Sequence, residues 1–152
     1  MAANDVNAPL VSIEVNLQAS AEWVFDAWTN PEIMKEWLFR SDTNEIVEIR
    51  IELQPGGAFS ILEKNKDGEL IDHFGRYQLI DRPNQLDFSL EVSKHFKGET
   101  RVEVTITSTD KGCKLLFSQR GVEPETVEQN WRSMFQRLND VSKSLMLSAV
   151  KK

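Results

Sequence analysis

Strict alternation of apolar and polar residues marks the beginning of the chain. Apolar side chains occupy the odd positions from Val11 to Leu17, and polar side chains occupy the even positions between them. A period of two places successive side chains on opposite faces of a strand. Residues 10–17 are therefore predicted to form a half-buried β-strand.

Two short helices are predicted directly after this strand. Ser20 is a favourable N-cap for a helix through Trp28, and Glu22 lies in its first turn, where the helix dipole favours an acidic side chain. Asn30 and Pro31 then form a second helix start, because Asn caps well and Pro is tolerated at the first helical position.

The period returns to two after Phe39 and predicts six successive strands. Their apolar faces are Val47, Ile49, Ile51 and Leu53; Phe59 and Ile61; Ile71, His73, Gly75, Tyr77 and Leu79; Leu86, Phe88, Leu90 and Val92; Val102, Val104 and Ile106; and Cys113, Leu115 and Phe117. Short turn signals such as Pro55-Gly56-Gly57 and Asp67-Gly68 separate them. Strands joined in this way form an antiparallel meander.

The last segment has helical periodicity. Apolar residues recur at spacings of three and four from Val127 through Trp131 to Leu145, which predicts an amphipathic helix over about 124–149.

This order of elements predicts an α+β fold. A seven-stranded antiparallel sheet is expected to wrap around the long C-terminal helix, with two short helices after strand 1. Residues 1–8 are expected to form a flexible tail and residues 9–150 a single domain. Such a sheet leaves space beneath the helix, and inward aromatic residues are expected to line that space.

Composition excludes several classes of protein. The chain has 152 residues and a formal net charge of −6, which disfavours binding to nucleic acid. One cysteine, Cys113, excludes an intramolecular disulfide and favours a cytoplasmic location. With only two histidines, His73 and His95, no Cys/His zinc site is expected, and neither is a cofactor. No apolar run is long enough to span a membrane.

Several motifs resemble those of a known family. The residues that carry the resemblance are Ala19 to Glu32, Lys35-Glu36-Trp37, Leu53 to Phe59, Asp67-Gly68, Gly75-Arg76-Tyr77, the strand ending near Phe88, and Trp131. They are similar to the homologues of the activator of the heat-shock chaperone ATPase, members of the START-like, polyketide-cyclase-like superfamily. The resemblance covers roughly residues 10–147 and implies the helix-grip fold. Leu38-Phe39 departs from the family pattern and is expected to reshape the cavity mouth.

The predicted ligand-binding residues are inward-facing side chains or tryptophans of the helices. They are Trp28, Trp37, Phe59, His73, Tyr77, Phe88, Phe117, Trp131 and Phe135. For each tryptophan, core packing is the competing interpretation.

Five polar or ionisable residues have competing or mainly structural interpretations. His73 is either a polar anchor or general base for a ligand, or a hydrogen-bonded core histidine, and spacing assigns it no carboxylate partner. Cys113 is expected to be a small buried hydrophobe. Arg50 and Arg76 are expected to be exposed. Glu63 is in phase with Phe59 and Ile61, but its position beside a turn favours exposure.

These observations predict the binding of a small apolar or amphipathic molecule between the sheet and the last helix. One alternative is a cyclase- or hydrolase-type enzyme that uses His73, Tyr77 or Glu63 in acid–base roles. The resemblance also implies a co-regulator of a chaperone ATPase, but the chaperone activators carry an additional N-terminal domain for which this chain has no room. A homodimer stays open as well.

Overall fold

The computed structural model describes residues 9–93 and 98–151. In chain order, the elements are β1 (Leu10–Leu17), α1 (Ala21–Thr29), α2 (Pro31–Trp37), β2 (Glu45–Ile51), β3 (Ala58–Lys64), β4 (Leu70–Asp81), β5 (Gln85–Val92), β6 (Thr100–Thr109), β7 (Gly112–Arg120) and α3 (Pro124–Lys151). The predicted order is confirmed. The predicted tail at 1–8 and His95 lie outside the described residues.

The strands form one antiparallel seven-stranded sheet in the order β1-β7-β6-β5-β4-β3-β2. Strands β2 to β7 are therefore a meander, and β1 closes onto its last strand. The predicted α+β fold, with the sheet packed around the C-terminal helix, is confirmed. This connectivity leaves β1 and β2 at opposite edges of the sheet.

The short helices begin where the sequence predicts. The Ser20 hydroxyl accepts a hydrogen bond from the Trp23 backbone N–H at 3.1 Å. The Asn30 side chain accepts one from the Glu32 N–H at 3.0 Å. The Asn30 backbone N–H donates to the backbone carbonyl of Asp26, in the last turn of α1. One residue thus ends the first helix and caps the second, which fixes the angle between them.

Two β-bulges overturn parts of the predicted alternation. The pairing register of β2 with β3 shifts between Ile46 and Glu48. The register of β4 with β5 shifts between Tyr77 and Leu79. An extra residue reverses the face of every side chain beyond it. Val47 is the extra residue in β2, and Leu79 follows the extra residue in β4. They are 45% and 44% exposed, so their predicted inward positions are wrong. Leu53, also predicted on the β2 face, lies beyond the end of the strand and is 47% exposed.

Aromatic rings from the helices and the sheet form the centre of the core. This aromatic cluster consists of Trp28, Trp37, Phe117, Trp131 and Phe135. Trp28 contacts all the others, with ring centroids 4.8 to 6.4 Å apart. The short helices therefore fill the space between the sheet and α3, in addition to closing one end.

Candidate functional site

A cavity of about 620 Å³ lies between the inner face of the sheet and the first half of α3. Strands β3, β4, β5 and β7 contribute one wall, α3 another, and the segment between α2 and β2 a third. The lining residues are Phe39, Arg40, Ser41, Asn44, Glu63, His73, Leu90, Val92, Gln119, Val127, Asn130, Trp131, Ser133 and Met134. Small-molecule sites commonly measure about 300–1,000 Å³ and combine apolar walls with a few polar groups. The cavity has both properties.

Glu63 and His73 form a hydrogen-bonded pair on the sheet wall of this cavity. His73 Nε2 lies 2.9 Å from Glu63 Oε1, and the two side chains are only 8% and 15% exposed. The β3–β4 register pairs Ile61 with His73 and Glu63 with Ile71, so Glu63 and His73 are diagonal neighbours on one face. The prediction of an exposed Glu63 is therefore wrong, because the hairpin register turns its carboxylate toward His73.

Asn44 connects this pair to the rim. Its side-chain amide donates to Glu63 Oε2 and to the Phe39 carbonyl, both at 2.8 Å. The Asn44 side-chain oxygen accepts from the Ser41 backbone N–H, and its backbone carbonyl accepts from Arg40 Nε. Asn44 thus fixes the conformation of residues 39–44 and orients the Glu63 carboxylate.

A second chain of hydrogen bonds positions Trp131 on the opposite wall. The Trp131 indole N–H donates to Gln119 Oε1 at 2.9 Å, and the Gln119 amide donates to the Thr100 hydroxyl at 3.0 Å. Thr100 donates in turn to the Leu90 carbonyl at 2.6 Å. Gln119 is fully buried, so these bonds satisfy its polar atoms where water cannot reach them. Sequence reasoning missed Gln119, although a Gln in phase with Cys113 and Phe117 was a usable signal.

The structure divides the predicted ligand-binding residues among three places. His73 and Trp131 line the cavity. A separate small space of about 10 Å³, which we call the inner gap, is lined by Trp28, Met34, Leu38, Phe39, Phe59, Ile61, Tyr77 and Phe88. Trp37, Phe117 and Phe135 are buried in the aromatic cluster and line neither space.

The remaining candidate side chains do not line the cavity. They are Cys113, Tyr77, Arg50 and Arg76. Cys113 is buried as expected, and burial, assisted by the negative charge of Glu22, raises the pKa of its thiol to about 11. The nucleophilic thiolate is therefore scarce at neutral pH. Burial also raises the pKa of Tyr77 well above its usual value. Arg50 and Arg76 are exposed, as expected.

The described residues contain neither a cluster suited to a metal ion nor a helix suited to a membrane. Within residues 9–93 and 98–151, no group of three or more His, Cys, Asp or Glu side chains is arranged to hold a metal ion. Over the same part of the chain, no helix combines the length and apolar character needed to cross a membrane.

Comparison of the sequence with family models assigns the chain to a family. Residues 18–143 match the model described as activator of Hsp90 ATPase homolog 1-like protein. This match covers most of the chain, so the protein belongs to that family, and the START-like resemblance of the sequence is confirmed. A search of curated proteins gave no match.

Solved structures show the same fold at low sequence identity. Protein CV1439 from Chromobacterium violaceum is 17% identical and has a TM-score of 0.78, with 88% of this chain and 96% of that chain covered. A protein from Rhodobacter sphaeroides is 19% identical, also at 0.78, with 98% of each chain covered. An AHSA1-like protein from Aeromonas hydrophila is 21% identical at 0.77, with 91% of this chain and 95% of that chain covered. Identities this low establish the fold alone.

Proposed function

We propose that this protein binds a small amphipathic molecule in the cavity between the sheet and α3. The observation that carries the proposal is the composition of the cavity walls. Leu90, Val92 and Val127 offer apolar surface, while Arg40 and Asn130 place polar groups at the rim and the Glu63–His73 pair lies deeper. A ligand with one apolar part and one hydrogen-bonding part satisfies both kinds of wall.

A pair of α3 variants tests this proposal. Asn130 and Gln129 are adjacent and exposed, and of these two residues Asn130 lines the cavity. Asn130→Trp is expected to fill the cavity mouth, and Gln129→Trp is the matched control. In a thermal-shift screen of amphipathic compounds, a ligand should raise the melting midpoint of the wild type and of Gln129→Trp in a concentration-dependent manner. The same ligand should have little effect on Asn130→Trp. Equal shifts in both variants would place the ligand elsewhere.

The Glu63–His73 pair favours a second candidate function, an acid–base enzyme of the cyclase or hydrolase kind. A carboxylate that orients an imidazole is a common arrangement in general-base catalysis. Binding is better supported, because Nε2 of His73 is engaged by Glu63 and Nδ1 is buried, without a hydrogen-bond partner in the described part of the chain. Conversion of a bound ligand that His73→Ala abolishes, and Tyr77→Phe preserves, would favour the enzyme.

A third candidate function, regulation of a chaperone ATPase, is supported by the family description alone. The cavity offers no specific support for it, since a cleft for a small molecule is not a surface for a folded partner. Cytoplasmic location and a homodimer stay predictions from the sequence.

A further inference from the structure

Among the described residues, Phe39 is the one that lines both the cavity and the inner gap. Its ring stacks on His73, with centroids 3.9 Å apart and an interplanar angle of 14°, and it meets Trp131 edge-on at 5.6 Å. Rings from β4 and α3 therefore hold it between the two spaces. We propose that Phe39 is a partition that sets the length of the apolar part of the ligand, an inference that rests on the proposed binding function.

The backbone of Phe39 shows that this position is imposed by its neighbours. In the described part of the chain, Phe39 is the only non-glycine residue with a positive φ. The angle is +59°. A bulky side chain is disfavoured there because Cβ approaches the backbone too closely. Two bonds hold the conformation: the Phe39 N–H donates to Met134 Sδ at 3.1 Å, and its carbonyl accepts from Asn44. Strained residues persist where surrounding contacts determine them, and such residues are concentrated at functional sites.

The inner gap has the chemistry of an apolar extension of the cavity. Its lining residues are aromatic or aliphatic, and none of them carries a charged side chain. At about 10 Å³ it holds no more than a single water molecule. Displacement of the Phe39 ring would join this space to the cavity and open an apolar path toward Trp28 and Phe59. The ligand class that fits is an amphiphile with a linear apolar chain, whose end meets the Phe39 ring.

A chain-length series of straight-chain fatty acids tests this assignment. The variants are Phe39→Gly, which removes the ring and suits a positive φ, and Phe39→Tyr, which retains the ring as a matched control. Phe39→Asn is a second ring-free variant, because Asn also tolerates this conformation. Folding of each protein is checked by circular dichroism, and the dissociation constant is measured by titration of tryptophan fluorescence.

In the wild type and Phe39→Tyr, affinity should rise about fourfold per added methylene and then level off when the chain reaches the ring. In Phe39→Gly and Phe39→Asn, the rise should continue through longer members of the series. If all four proteins bind fatty acids and their affinities level off at the same chain length, the proposed role of Phe39 as a partition is contradicted, while the proposed binding function is supported. If none of them binds any fatty acid, binding of this class of amphiphile is overturned, and the partition with it.

Discussion

The two ends of the space beneath α3 differ in how they are filled. At one end the short helices insert Trp28 and Trp37, both nearly inaccessible, and the aromatic cluster leaves little free volume. At the other end, the inner face of the sheet presents His73, Gln119 and Val92, and about 620 Å³ stays open. The same sheet and the same helix bound both ends. Side-chain volume and polarity, more than architecture, therefore decide which end is core and which end is cavity.

This comparison also shows why aromatic content is a poor guide to a pocket. Large rings bury much surface and pack closely, so they tend to fill a space that smaller residues would leave open. The more useful signal is a polar residue in an inward phase, as with His73 and Gln119. Trp131 belongs to both ends, since it packs on Phe117 and also lines the cavity.

The largest expected effect comes from the packed end. Trp28→Ala should lower the free energy of unfolding by about 3–5 kcal/mol, because it removes the ring that contacts the whole cluster and leaves a void. Urea denaturation measures the loss. Trp23→Ala, a half-buried tryptophan on the same helix, is the control and should cost less. Equal losses in the two variants would contradict the central role of Trp28.

Trp131→Ala tests the boundary between the packed end and the open end. Trp131 is buried, but part of it borders the cavity. Its removal should therefore create less new void than the removal of Trp28, and we expect a loss of about 2–3 kcal/mol, at or below the lower end of the range for buried aromatics. Ligand affinity should fall at the same time, whereas Trp28→Ala should affect stability more than affinity. A larger stability loss for Trp131→Ala than for Trp28→Ala would contradict the expectation that the packed end contributes more to stability.

At the open end, Glu63→Ala should lower the free energy of unfolding by about 1–3 kcal/mol. The substitution leaves His73 Nε2 without its carboxylate partner and removes an acceptor from Asn44. Lys64→Ala, at the exposed neighbouring position on β3, should change stability by no more than about 0.5 kcal/mol. If the two variants unfold at the same urea concentration, the Glu63–His73 pair contributes nothing to stability.

The smallest effect concerns Cys113 at alkaline pH. Its raised pKa, about 11, means that the folded state favours the neutral thiol. The unfolded state therefore ionises first, so this contribution to stability is complete below pH 9 and is lost as the pH rises through 11. Urea midpoints measured under reducing conditions should fall more steeply over this range in the wild type than in Cys113→Ala. Tyr77 is present in both proteins, so its own titration cancels. Parallel curves would contradict the prediction.

Much of the fold follows from local patterns in the sequence. Alternation in residues 10–17 and the caps at Ser20 and Asn30 each predict an element that the structure contains. The bulges in β2 and β4 were not predictable from alternation, since an inserted residue continues the pattern in sequence and reverses it in space. For this reason the faces of Val47 and Leu79 were assigned wrongly.

The candidate site was less accessible to sequence reasoning. The Glu63–His73 pair was within reach, because the Asp67-Gly68 turn sets the register of the β3–β4 hairpin, and that register makes the two residues diagonal neighbours. Gln119 and Asn44 depend on contacts between distant segments, which no local period contains. The positive φ of Phe39 likewise depends on Met134, 95 residues further along the chain.

The pairing of β1 with β7 has a consequence for how the protein is made. Val15 pairs with Leu115, so β1 leaves the ribosome 100 residues ahead of its partner strand. At bacterial and eukaryotic elongation rates of about 5–20 residues per second, this delay is roughly 5–20 s. Strands β2 to β6 can pair with sequence neighbours during that interval, while the apolar face of β1 has only the short helices to cover it. Transiently exposed apolar surface of this kind is prone to non-native contacts, and its exposure ends when β7 emerges.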